Sequence, residues 1–152
     1  MRLVALFSLA VVGINVLVGC GAGGPALGTV EGTVTLDGAP LPEASIVFEP
    51  LDGRSSHGET DSTGKYELQY TEERPGALIG THTVKVSTGK TVQSKDGSDK
   101  VVAEKVPSKY NVQTTMEQEV KSGSNTIDLQ LDSDGEVVEP GSGSQTKDPS
   151  AC

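Results

Sequence analysis

The sequence has no tryptophan, and its two phenylalanines and three tyrosines bring aromatic residues to only 3% of 152 positions. Without large rings a core must be small and built from valine, leucine and isoleucine, which suits a compact β-domain and leaves little with which to stack on sugars. Positive charge is also short, with 12 Lys and Arg against 21 Asp and Glu. Such a surface repels nucleic acid and anionic headgroups, so nucleic acid is excluded as a partner. Cysteine is scarce, with Cys20 and Cys152 the only two, and His57 and His82 are the only histidines. Zinc, general-base and disulfide chemistry therefore have few residues to draw on. Glycine, at 19 residues, is plentiful, and one modest domain fills the length once the two ends are set aside.

The chain has one long apolar run, Leu3 to Val18, interrupted by Ser8, Gly13 and Asn15 and preceded by Arg2. That layout predicts an export signal, residues 1–19, rather than a folded helix. Its removal takes away one base and no acid, leaving a side-chain charge of about −10. The run ends in Leu17-Val18-Gly19-Cys20, which resembles the bacterial lipoprotein signal, where the cysteine receives diacylglycerol. A plain membrane anchor, or a secretory signal with an incidental cysteine, are the alternatives; the run is short for a span and has small residues at the cleavage point. Lipidation of Cys20 would bury many methylenes and give a stable membrane anchor. By the same resemblance, Gly21 in place of aspartate after the cysteine implies sorting to an outer membrane, so the expected address is the bacterial cell envelope. An acylated Cys20 leaves Cys152 without an internal partner, so no disulfide staples the domain. Cys152 ends a Gly/Ser/Pro tail and reads as a solvated terminus, with intermolecular pairing as the alternative.

Residues 20–27 form a flexible tether, 28–132 the domain, and 133–152 an acidic, Gly/Ser-rich tail expected to be disordered. Within the domain, Val30, Gly32, Val34 and Leu36 alternate with polar residues and predict a first strand, which Asp37-Gly38 turns back. Ala44, Ile46 and Phe48 define a second strand that ends at Pro50. His57 to Thr60 is a short strand. The stretch "HGETDSTGKYEL" raises the question of a phosphate loop, but five residues separate Gly58 from Gly64 and Tyr66 follows Lys65, so both the spacing and the magnesium-binding hydroxyl fail. Asp61-Ser62-Thr63-Gly64 instead predicts a turn leading into a strand through Tyr66, Leu68 and Tyr70. His82, Val84 and Val86 mark another strand. Thr88 to Lys105 shows no sustained period and reads as a long exposed loop. Met116 to Val120 is a strand, Lys121 to Asn125 a turn, and Ile127, Leu129 and Leu131 close the sheet. Seven short strands at turn-punctuated intervals predict an all-β sandwich.

Taken in order, "VEGTVTLDGAPLPEASIVFEP", "TDSTGKYEL", "GTHTVKVS", "VPSKYN" and "EVKSGSNTIDLQL" resemble the carboxypeptidase regulatory-like domain of bacterial surface lipoproteins. The resemblance spans Gly28 to Leu131 and implies a transthyretin-like, seven-stranded Greek-key β-sandwich. Gln118 departs from the pattern, since the face shared by Met116 and Val120 would turn it inward. The family takes its name from a non-catalytic partner of zinc carboxypeptidases, whose His-x-x-Glu motif is absent at both His57 and His82. The related transthyretin-like hydrolases end in a Tyr-Arg-Gly-Ser type motif that this chain lacks.

Other candidate residues have simpler readings. His57, Glu59 and Asp61 share a face at period two and could converge on a metal, but they also suit a solvated edge beside a turn. His82 reads as a hydrogen-bonded histidine at the start of a core-facing strand, without an evident catalytic partner. Asp132-Ser133-Asp134-Gly135 echoes a calcium loop but lacks its further ligands. Tyr110 is the one ring of undecided orientation. No catalytic residue, cofactor or metal is therefore expected. The expected function is a non-enzymatic, lipid-anchored envelope protein presenting a sandwich for binding or spacing, with Thr88 to Lys105 as the contact surface. The alternatives are a carbohydrate- or protein-binding accessory module of an envelope enzyme or transporter and, with less behind it, a small hydrolase using His57 or His82.

Overall fold

The structure, a computed structural model, describes residues 24–93, 97 and 99–138. The export run, Cys20 and Cys152 lie outside the described residues. The strands are β1 (Leu27–Leu36), β2 (Ala39–Pro40), β3 (Ser45–Pro50), β4 (Ser56–Glu59), β5 (Lys65–Glu67), β6 (Gln69–Thr71) and β7 (Arg74–Pro75), then β8 (Ala77–Leu78), β9 (Gly80–Ser87), β10 (Lys90–Gln93), β11 (Asp99–Val102), β12 (Glu117–Val120), β13 (Gly123–Thr126) and β14 (Leu129–Leu131). A single 3-10 turn, Ser108–Tyr110, lies between β11 and β12.

The fold is all-β, with open sheets stacked as a sandwich. The first sheet is organised around β1, which pairs in parallel with β13 and β14 and antiparallel with β8, β5 and β2. The second runs β12-β9-β3-β4-β6-β7, antiparallel throughout. Alternation decides which side chains face the gap between them: Val30 and Val34 enter from β1, Ile46 and Phe48 from β3, and Val84 and Val86 from β9, all fully buried. Phe48 is the one large ring among them, and the other five are small branched residues.

The strand expected through Tyr66, Leu68 and Tyr70 divides at Leu68. β5 belongs to the first sheet and β6 to the second, so the chain changes sheets there. Leu68 is buried at the crossing, its N–H donating to Val30 O at 2.9 Å and its carbonyl accepting from Gly76 N at 2.7 Å. Continuous alternation hid this step, because side-chain period carries no information about a change of partner.

Another interruption explains Gly32. Between the pairs Glu31↔Thr126 and Val34↔Leu129 the regular parallel pairing of β1 breaks. Thr33 N instead donates to Asp128 Oδ1 at 2.8 Å, and Tyr66 OH donates to Ile127 O at 2.7 Å. A Cβ on residue 32 would lie 1.9 Å from Ile127 O, so only glycine lets that carbonyl approach.

Two other expectations are corrected. Lys121 to Asn125 is not merely a turn: Gly123–Thr126 forms β13, because Asn125 binds the Lys121 N–H and carbonyl and the Thr29 carbonyl, fastening the segment to β1. The expected loop from Thr88 to Lys105 contains the antiparallel hairpin β10–β11, paired from Lys90↔Val102 to Gln93↔Asp99. Its valines are too few and too exposed to produce a clear period. Of the expected tail, residues up to Val138 are described. Within it Ser133 N donates to Asp37 Oδ1 at 3.0 Å and Ser108 N donates to Glu136 O at 2.7 Å.

Candidate functional site

The stretch that raised the nucleotide question is a turn held by its own aspartate. Asp61 Oδ1 accepts from Thr63 N and Thr63 Oγ1, both at 2.7 Å, and from Lys65 N at 3.0 Å. Those bonds, led by the Thr63 side chain, hold the Asp61 carboxyl below its usual range. Gly64 turns the corner at φ +79°, and its carbonyl accepts from Val34 N at 2.8 Å. The backbone groups are thus spent on the turn and on β1.

His57, Glu59 and Asp61 are all exposed, but they do not act together. Glu59 is paired with Lys90 of the hairpin at 2.6 Å, and Asp61 is committed to its turn. Among the described residues no group of three or more His, Cys, Asp or Glu is placed to hold a metal ion. Asp132 is similarly occupied. It takes bonds from Lys109 Nζ and, at 2.8 Å, from Tyr110 OH, fastening the chain after β14 to the 3-10 turn. Tyr110 is half-buried, with Lys109 Nζ 5.1 Å from its ring centre. Its orientation is thereby settled as packing.

His82 is 1% exposed, lies in the core beside Phe48 at 5.8 Å between ring centres, and engages Gly80 O through Nδ1 at 3.0 Å. Burial pushes its pKa down, outweighing the Gly80 carbonyl, so the ring is neutral. With the Nδ1 proton donated, Nε2 is left buried without a hydrogen-bond partner among the described residues. Gln118, paired opposite His82, is half-buried at the margin of the second sheet.

The polar constellation that sequence reasoning missed is centred on Glu104, which is only 7% exposed. Its Oε1 accepts from Thr88 N (2.9 Å), Thr88 Oγ1 (2.8 Å), Lys105 N (3.0 Å) and Val106 N (2.9 Å). Its Oε2 accepts from Ser87 Oγ and from Gly89 N (3.2 Å). Burial alone would raise the carboxyl pKa, but the bonds from Ser87, Thr88 and Val106 overcome it and hold it at about 2. The carboxylate ties the entry of the hairpin to its exit. A glutamate in a polar stretch gives no sign of this, since the donors at the entry of the hairpin, on Ser87, Thr88 and Gly89, lie 15 to 17 positions away.

The clamped hairpin carries exposed apolar side chains, notably Val101 at 61%. A separate shallow groove at the other end of β9 is lined by Pro25, Ala26, Leu51, Leu78 and Ile79. Another depression brings together Glu31, Glu59, Asp61 and Glu67 beside Lys65 and Tyr66, where two of the carboxylates already have the partners described above.

No family model matches the chain, and no curated protein does. Among solved structures it is similar to BcpA, the major pilin subunit of Bacillus cereus, at 13% identity and a TM-score of 0.42, over 72% of this chain and 31% of that one. It is also similar to a 9R-lipoxygenase from Cyanothece at 16% identity and a TM-score of 0.36, over 66% of this chain and 16% of the other. The chain thus spans less than a third of either neighbour's length.

Proposed function

We propose that this protein is a non-enzymatic, lipid-anchored component of the bacterial cell envelope, whose β-sandwich presents the β10–β11 hairpin for contact with an envelope partner. The finer fold type in this reading is the transthyretin-like, carboxypeptidase regulatory-like domain, supported by the ordered set of segments from Gly28 to Leu131. The anchor is supported by Leu17-Val18-Gly19-Cys20 at the end of the apolar run, with Gly21 favouring the outer membrane. The observation that carries the presenting role is the Glu104 clamp. A buried carboxylate that takes donors from both ends of the hairpin fixes the base of an element that contributes little to the core, and rigidity without core packing suits a displayed surface. The non-enzymatic part is supported by the engagement of Glu59 and Asp61 elsewhere and by the burial of His82.

A second reading, an accessory module that binds a protein, is favoured by the exposed Val101 and Val92 on the hairpin. A glycan ligand and a small hydrolase using His57 or His82 remain as its competitors. Crosslinking in intact cells from positions on the hairpin, followed by identification of the joined molecule, tests the role. One dominant protein neighbour is expected, lost when residues 90–102 are replaced by a short Gly/Ser link. A glycan neighbour would move the reading to the carbohydrate module. No preferred neighbour would leave spacing as the role, and turnover abolished by His57→Ala with His82→Ala would overturn the non-enzymatic reading.

A further inference from the structure

The most exposed large apolar side chain among the described residues is Leu51, at 95%, and it stands beside Ile79, at 45%. With Pro25, Ala26 and Leu78 they line the groove at the start of β9, where Asp52 is the sole ionisable side chain in the lining among the described residues. An apolar surface this open calls for a partner.

Chain connectivity identifies it. Pro25 and Ala26 belong both to the groove and to the segment that leads back to Cys20, so the tether leaves the domain through the patch. Gly24 is four residue steps from Cys20, and an extended chain spans at most roughly 14 Å over that distance. We infer that this patch docks on the lipid surface to which Cys20 is anchored, with Leu51 and Ile79 entering the headgroup region. The inference rests on the proposed lipidation of Cys20 and adds an orientation to it. The acidic domain disfavours anionic headgroups, so the fitting surface is zwitterionic. The direction of β9 fixes what docking exposes. Gly80 lies in the groove and Ser87 at the Glu104 clamp, so the strand carries the hairpin roughly 24 Å from the patch, at 3.4 Å per residue.

The test uses the full-length protein with Cys152→Ser, extracted from membranes and reconstituted in phosphatidylcholine vesicles bearing a nitroxide near the headgroup. Its intact mass first reports whether Cys20 is acylated. An environment-sensitive fluorophore is then placed on Leu51→Cys, on Ile79→Cys or, as a reference, on Val101→Cys. The expected result is a blue shift and nitroxide quenching at positions 51 and 79, with neither at 101, and loss of the signal at 79 when Leu51→Asp is added. Acylated protein in which 51 and 79 behave as 101 does would overturn the docking while leaving the anchor standing. An unmodified Cys20 would overturn the anchor and the docking with it.

Discussion

Glu104→Gln keeps the shape of the side chain while removing the charge that holds the hairpin. A carboxyl that moves from 4.5 to about 2 on folding contributes about 3 kcal/mol to stability at neutral pH. Ser87 and Gly89 are half-buried, and the screening that reaches them lowers this to about 2 kcal/mol. The amide also cannot replace both oxygens. With Oε1 kept toward Thr88, Lys105 and Val106, the new NH2 faces the Gly89 N–H, donor against donor. The sign follows from the depressed pKa. The charge stabilises the native state fully above pH 4.5, and its contribution fades as the pH falls from 4.5 through about 2. Denaturant unfolding of wild type and variant across that window should therefore show a gap of about 2 kcal/mol at pH 7 that closes toward pH 2. Hydrogen exchange adds the location: the amides of Thr88, Gly89, Lys105 and Val106 should lose protection in the variant, even where opening of the hairpin is local. A gap independent of pH, or unchanged exchange at those four amides, would refute the clamp.

Gly32→Ala places a methyl 1.9 Å from Ile127 O and should cost about 2 to 3 kcal/mol, read as a lower denaturation midpoint with an unchanged slope. Tyr66→Phe removes the hydroxyl that donates to the same carbonyl, with an expected loss of about 1 kcal/mol. Burial, with Asp128 adding to it, raises the Tyr66 pKa, so the ultraviolet difference between folded wild type and Tyr66→Phe at pH 10 should show no tyrosinate from residue 66. His82 has a depressed pKa because burial disfavours its charged form, so the unfolded chain binds the proton more readily. Stability should accordingly decline as pH falls below about 6.5, and His82→Phe should remove that part of the decline; a profile unchanged by the substitution would show that His82 protonates freely in the fold.

The parts of the fold that were legible in the sequence depend on local pattern. The alternation of Val30 and Val34, of Ile46 and Phe48, and of Val84 and Val86 fixes one face of each strand, and the structure buries those faces. Asp61 announces its turn because its partners are only two and four residues away. The unread parts depend on contacts between distant segments. The change of sheet at Leu68, the role of Asn125 in making β13 a strand, and the bonds from Ser87, Thr88 and Gly89 to Glu104 each join side chain or backbone to a segment that no local period can reveal. The same division applies to the candidate sites: His82 could be read as a partly buried, hydrogen-bonded histidine from its place at the start of a core-facing strand, whereas its full burial and the partners that occupy Glu59 and Asp132 required the assembled fold.

That division also explains why the two surfaces given a role here are the two that local pattern describes least well. A strand that buries one face is constrained at every second residue, and its sequence shows it. Leu51 and Val101 are constrained by nothing inside the domain, as their 95% and 61% exposure records. An isolated exposed leucine or valine is ordinary. What sets these apart is position: one lies where the chain departs for Cys20, and the other on a hairpin whose base is fixed by a buried carboxylate. β9 joins the two regions as a single eight-residue strand inside the second sheet, between the edge strand β12 and β3. Docking one end of that strand on a lipid surface directs the other end outward. On the proposed lipidation and docking, the anchor, the patch, the strand and the clamp would together hold the hairpin at a set distance and orientation above the membrane.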